Sequence, residues 1–247
     1  MDESNGAREA AAEGKSEPGR LFGIFWEPGA VYQDLARRPR WLTPFLLVIA
    51  ASLIYTYAFA QIVGWREFLE REFARSESLQ QMSAEMQRQI IRQQLGIVEV
   101  MAYVGAVAGT AVVLVAVAAM MLLMFRLAGA ADAGFRQFFS ITSYSWLPFV
   151  LYQGLSLIVM AYGRPEDFDL KNPLPFNPGW FLDPGSPAWL VSLASSLDLF
   201  TFWVIGLLAL GYSTAVRKVK FGTALALVAG TWAMYVLVKT GWAALFG

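Results

Sequence analysis

One carboxylate in this sequence stands where a carboxylate is hard to accommodate. Asp198 lies in the apolar run SLASSLDLFTFW, about ten residues into a stretch, Ala188 to Val216, long enough to cross a bilayer. A carboxylate near the bilayer centre costs roughly 2.5–3.5 kcal/mol on insertion scales and is tolerated where it faces other helices or a wet cavity. Ser195 and Thr201, three positions to either side, share its helix face. Lys239 enters from the opposite side in the last apolar run and is the nearest candidate counter-charge; Glu99, at the edge of an earlier run, is a second partner for that lysine. Two chemistries fit these residues. One is a path for an ion or proton, or a polar partner site. The other is a buried pair, or a protonated Asp198 bonded to neighbouring hydroxyls, that fixes helix register. Both stay open on the sequence alone.

Other chemistry is mostly closed. The 247 residues include no histidine and no cysteine. That removes the usual general base near neutral pH, thiol nucleophiles and the commonest transition-metal ligands. No zinc-protease, P-loop or dinucleotide fingerprint appears. A two-aspartate intramembrane protease needs a second mid-membrane aspartate, and only Asp198 is available. The expectation is a non-enzyme without metal or cofactor. Lys+Arg and Asp+Glu both total 19, so there is no basic excess for nucleic acid.

The elements that must position these residues are membrane helices. Val100 to Phe125 is 26 residues without a charge, apolar on every side, bounded by Glu99 and Arg126. About 20 such residues span the ~30 Å hydrocarbon core. The chain is 57% hydrophobic and 15% charged with a mean hydropathy of +0.47, well below the ~25% charge of a soluble domain. Five spans are predicted, over about 42–63, 98–125, 138–162, 188–216 and 221–246, with Pro148 kinking the third. In the second span Gly105 and Gly109 form a G-x-x-x-G pattern, a face for close helix approach within the chain or in a homo-oligomer.

Residues 1–20 mix charge, Gly, Ser and Pro and lack the apolar core of a secretory signal, so a disordered tail is expected. Residues 21–40 read as an amphipathic helix on the membrane surface, Trp26, Val31 and Leu35 toward lipid and Gln33, Arg37 and Arg38 toward water. Gly64 to Gly96 carries an apolar stripe (Trp65, Phe68, Leu69, Phe73, Met82, Met86, Ile90) at helical spacing, interrupted near Ser76 to Ser78. Gly163 to Pro187 holds six of the eleven prolines, and its Phe168, Phe176, Trp180 and Phe181 read as interface anchors of an extended cap.

Basic residues set orientation. With the N-terminus cytoplasmic, the inner segments hold eleven Lys and Arg, among them Arg37, Arg38, Arg40, Arg217, Lys218 and Lys220, against seven outside. The C-terminus is then outside.

Three stretches carry a resemblance. Phe25 to Trp41 (FWEPGAVYQDLARRPRW) has a proline-entry helix and a basic lead into span one. Phe135 to Val150 (FRQFFSITSYSWLPFV) runs from aromatics to Pro148, and Phe202 to Leu225 (FWVIGLLALGYSTAVRKVKFGTAL) carries Trp203, Gly206 and Gly211 into a basic turn. Together they resemble the Yip domain family of Ypt/Rab-interacting membrane proteins, particularly its short bacterial-looking members, over roughly Phe22 to Val238. The resemblance implies five transmembrane helices, a cytoplasmic N-terminus and no enzymatic activity; eukaryotic members are associated with Rab-type GTPases and vesicle traffic. Gly206 joins Gly105 and Gly109 as a helix-packing position.

The sequence thus predicts an all-α, polytopic integral membrane protein with amphipathic interfacial helices. Its expected partners are the lipid bilayer and a membrane or cytoplasmic protein, its expected place the bacterial cytoplasmic membrane, and its role that of a scaffold or adaptor. The alternative is a small-solute or ion transporter using Asp198 and Lys239.

Overall fold

The computed structural model describes residues 15–75, 81–129, 134–183, 185–216 and 218–246. Within them the protein is helical, without a strand. The first two helices are short: α1 (Glu17–Trp26) and α2 (Pro28–Arg37). The Ser16 hydroxyl accepts the Gly19 amide, and Pro18 and Pro28 occupy first-turn positions where a missing N–H costs nothing. Thus the expected single helix over 21–40 is two, and the first begins at Glu17, inside the segment expected to be a disordered tail. Glu27 breaks them apart because Pro28 restricts the residue before it. Residues 1–14 lie outside the described residues.

Then follow α3 (Leu42–Ile62), α4 (Trp65–Arg75) and α5 (Ala84–Val104). Next come a π-helical turn (Gly105–Gly109), α6 (Thr110–Leu127), α7 (Phe135–Ser145) and α8 (Leu147–Tyr162). The last three are α9 (Ala188–Ser196), α10 (Leu199–Ala215) and α11 (Phe221–Phe246). Four helical runs are long and apolar enough to cross a membrane: α3, α5–α6 as one 44-residue run, α7–α8, and α11. The pair α9–α10, bent by 49°, makes the fifth if counted as one span. The predicted all-α membrane class stands, and the predicted five spans are reached when the bent pair α9–α10 is counted as one.

The core sits at the end of the bundle where α1 and α2 dock. There α7 is enclosed on all sides, with Phe138 through Ser145 all buried. Three of its hydroxyls bond within the helix itself: Ser140 donates to the Arg136 carbonyl, Thr142 to Phe138 and Ser143 to Phe139. Such internal bonding lets a polar helix sit dry. The run α7–α8 is interrupted at Trp146 because Pro148 offers no amide to the carbonyl four residues back.

At the opposite end α4 and α5 fold into a hairpin in which Leu69, Phe73 and Ile91 are buried. Ser76 to Ser78 lie outside the described residues. The segment 163–187 is a cap pinned on this hairpin: Arg71 donates to the carbonyls of Phe168 (3.1 Å) and Pro165 (2.7 Å). Of the four aromatics expected to anchor it in the interface, Phe176, Trp180 and Phe181 are exposed, Phe176 lying edge-on to Phe200. Phe168 instead turns inward onto Phe59 and Met160. The neighbouring helix ends offer that ring buried surface that sequence position does not reveal.

Candidate functional site

The most constructed polar site lies where the N-terminal helices meet the bundle. Arg20 is 2% exposed, the most enclosed charged residue of the core. Its Nε donates to Asp34 Oδ2 at 2.5 Å and its Nη1 to Glu17 Oε1 at 2.9 Å. Glu17 is shared further: Oε1 also accepts Arg40 Nη1 at 3.2 Å, and Oε2 accepts the Tyr144 hydroxyl at 3.0 Å. Burial alone would push the Arg20 guanidinium down, but the bond to Asp34 and the charges of Asp34 and Glu17 outweigh it and hold it above its ordinary value. It is a permanent cation bridging α1 to α2, and Glu17 carries the bridge to α7 and to the lead of α3.

Beside it the tyrosines of three elements converge. Tyr32 on α2 shares a 2.6 Å bond with Ser145, and Tyr212 on α10 a 2.8 Å bond with Thr142. The Tyr212 ring stacks on Phe138 at 4.5 Å and meets Phe125 edge-on at 5.3 Å. Burial raises the Tyr32 phenol well above its ordinary value of 10.0, with the Ser145 bond opposing weakly. Gly211 makes the close approach workable: a Cβ there would stand 2.9 Å from Tyr32 Cε1 and closer still to Ile141. A further tie runs from Gln137 Nε2 to the Ala36 carbonyl at 2.6 Å.

This docking reverses part of the expected orientation of residues 21–40. Val31 and Leu35, expected toward lipid, are fully enclosed by the bundle. Trp26 does face outward, at 83% exposed, with Phe22 one turn away on the same face. The physical reason is that α1 supplies Arg20 and Ile24 as an inner face against which α2 packs.

The arrangement holds and orients: it ties α1 to α2 and both to α7. Among the described residues no group of three or more Asp or Glu could hold a metal ion.

The residues picked out by the sequence are placed as follows. Asp198 is the N-cap of α10, its Oδ1 accepting the amides of Phe200 (2.8 Å) and Thr201 (3.3 Å). Thr201 thus meets Asp198 through its backbone, and Ser195 stands on the other side of the bend, its backbone and hydroxyl hard against Gly179 of the cap. Lys239 Nζ donates to Ser196 Oγ at 3.2 Å rather than to the Asp198 carboxylate, while Asp198 Oδ2 is buried with no hydrogen-bond partner among the described residues. Glu99 is exposed on α5. Counted from the end nearer α1, α10 alone covers about 25 Å and Lys239 lies about 27 Å along α11, at ~1.5 Å per residue. Both groups therefore sit toward the cap, Asp198 at a helix end rather than at the mid-depth expected of it in an unbroken span.

Gly105 and Gly109 bound the π-helical turn, and a Cβ at either, or at Gly206, would meet no atom within 4 Å. The close approach in this fold belongs to Gly211. Arg37, Arg38, Arg40, Lys218 and Lys220 are all exposed at the end that holds α1 and α2; Arg217 lies outside the described residues.

Sequence reasoning passed over Arg20, Glu17, Asp34 and the three tyrosines. A signal existed: Glu17 and Arg20 at i,i+3 beside a capping Ser16 mark a structured helix start, not a tail.

No curated protein and no solved structure matches the chain in a search of either kind. The family model of the Yip1 domain matches residues 22–243, from the exposed Phe22 of α1 into the last turns of α11. The stretch covers the first four candidate spans, nearly all of the fifth and most of the docked N-terminal helices, and the chain belongs to the Yip1 domain family.

Proposed function

We propose that this Yip1-family membrane protein works by association, as a membrane scaffold or adaptor, and not by catalysis. One observation carries the reading: Arg20, Tyr32 and Gln137 fix α1 and α2 rigidly on the bundle, with Arg37, Arg38 and Arg40 exposed beside them. A preorganised basic surface loses little freedom on binding, so it suits an acidic face of a partner or of another membrane protein. Phe22 and Trp26 on the outer side of α1 suit the lipid interface next to it. In this reading the N-terminus is cytoplasmic, the C-terminus outside and the membrane a bacterial cytoplasmic one. The partner is a membrane or cytoplasmic protein, with self-association as a homo-oligomer a further mode.

Crosslinking in native membranes, followed by mild-detergent purification and mass spectrometry, tests this. A stoichiometric protein crosslinked to Arg37–Arg40 or Lys218–Lys220 peptides supports the adaptor role. Recovery of the chain alone, unchanged by reversing those charges, overturns it.

A second reading, passage of a small solute or ion past Asp198 and Lys239, draws on the break in the α9–α10 span and the unpartnered Asp198 Oδ2. Broken helices with polar ends are where transporters hold their cargo. Flux through reconstituted protein that Asp198→Asn abolishes without loss of fold is its test.

A further inference from the structure

Between α3, α6, α7–α8 and the cap lies a cavity of about 390 Å³, within the range of small-ligand sites. Six neutral side chains with hydrogen-bonding atoms line it: Ser52 and Tyr55 from α3, Thr110 from α6, Trp146 between α7 and α8, and Tyr152 and Gln153 from α8. Apolar surface between them comes from Val48, Phe149 and Leu170. Gln153 Nε2 donates to Ser52 Oγ at 3.1 Å, while Gln153 Oε1 is buried and meets no donor among the described residues. A buried amide oxygen left without a donor is costly, and a ligand hydroxyl in the cavity would relieve that cost.

The charge content narrows the ligand. Among the described residues on the wall Lys171 is the one that is charged, and its Nζ already pairs with Glu72 Oε2 at 2.5 Å. An ionic headgroup would find no open counter-charge there, whereas hydroxyls and ester carbonyls would find donors and acceptors. The entrance points the same way. Val113 lines the cavity, is 47% exposed and shares the outward face of α6 with Val112 and Gly109. The π-helical turn ends one residue before Thr110, so the helix is locally widened where it borders the opening.

We propose that this cavity is a lipid site that takes an uncharged acylglycerol from the bilayer. The glycerol hydroxyls and ester lie against Gln153, Ser52 and the two tyrosines, and the acyl chain leaves past Val113. The proposal assigns the protein a specific neutral-lipid ligand, which neither scaffolding nor solute passage requires.

The test is photo-crosslinking of the purified, delipidated full chain with a diazirine-bearing monoacylglycerol, the labelled peptides being mapped by mass spectrometry. Label should concentrate in α3 and α8. Val113→Trp, which plugs the opening from an exposed helix face, should cut that label, and Gln153→Leu should lower it by about tenfold, the factor one lost hydrogen bond of ordinary strength represents. Unlabelled monoacylglycerol should compete and phosphatidylglycerol should not. Thermal melting of each variant reports folding, and if Val113→Trp fails to fold, Gln153→Leu and the competition carry the test. Label spread over the exposed face of α11 and indifferent to either variant overturns the site. Equal competition by phosphatidylglycerol overturns the neutral-head assignment.

Discussion

Arg20 Nε lies 2.5 Å from Asp34 Oδ2, and this pair joins two helices that a reading by hydropathy treats as one surface segment. The guanidinium is almost wholly enclosed, so α2 is held to α1 by a charge that solvent cannot easily replace. Removing one partner of such a pair leaves the other charge buried and alone. Arg20→Met should therefore destabilise the detergent-solubilised protein by about 3 kcal/mol, and Arg20→Met with Asp34→Leu should recover part of it. Thermal melting of the four proteins of this cycle gives the answer, and additive losses would remove the pair from the account.

Gly211 and Gly206, five residues apart on α10, are expected to respond oppositely to alanine. At Gly211 the new methyl meets Tyr32 and Ile141, so overpacking should cost about 1–3 kcal/mol. At Gly206 it meets open space, and helix propensity should give a gain of up to about 1 kcal/mol. Gly105→Ala and Gly109→Ala should likewise leave the monomer's stability intact; loss of a larger species on size-exclusion chromatography in either would assign that pair to a contact between copies.

Alkaline titration should find Tyr32. Its folded value is raised above the ordinary 10.0, so the folded form resists losing the phenol proton that the unfolded chain gives up. The contribution is complete below pH 10 and declines as pH rises beyond it, by up to about 1.4 kcal/mol per pH unit for one proton. Tyr32→Phe should flatten the fall in melting temperature between neutral and strongly alkaline pH. Arg20, also raised, keeps its charge in the folded protein across that range.

Asp198 caps α10 through Oδ1, and asparagine caps nearly as well. Asp198→Asn should be close to neutral in stability, while Asp198→Ala should lose about 1 kcal/mol. Lys239→Met should add to either change independently, since Lys239 bonds Ser196. Strong coupling between positions 198 and 239 in this cycle would mean the two charges pair after all.

Orientation is open to direct measurement. A reporter fused after Gly247 should read the outer side, and one fused before Met1 the cytoplasm; the reverse pattern would invert the assignment made from the basic loops.

The membrane class, the apolar runs and the basic character of their linkers were legible in the residues alone, because an apolar stretch of bilayer length has few other places to go. The sequence by itself also excluded histidine and cysteine chemistry. Tertiary structure decided which polar groups meet. Asp198 looked like a mid-span charge because nothing local announces the bend at Leu197; the break is held where the Phe176 carbonyl of the cap accepts the Leu199 amide and Asp198 takes the next two. Arg20 looked like tail because its burial depends on Asp34, on Glu17 and, through Glu17, on Tyr144, more than a hundred positions away. Hydropathy is a sum over neighbours in sequence and reports the cost of leaving water. Hydrogen bonds and ion pairs depend on neighbours in space, so only the folded bundle determines whether a charge is a cap, a bridge or a free group.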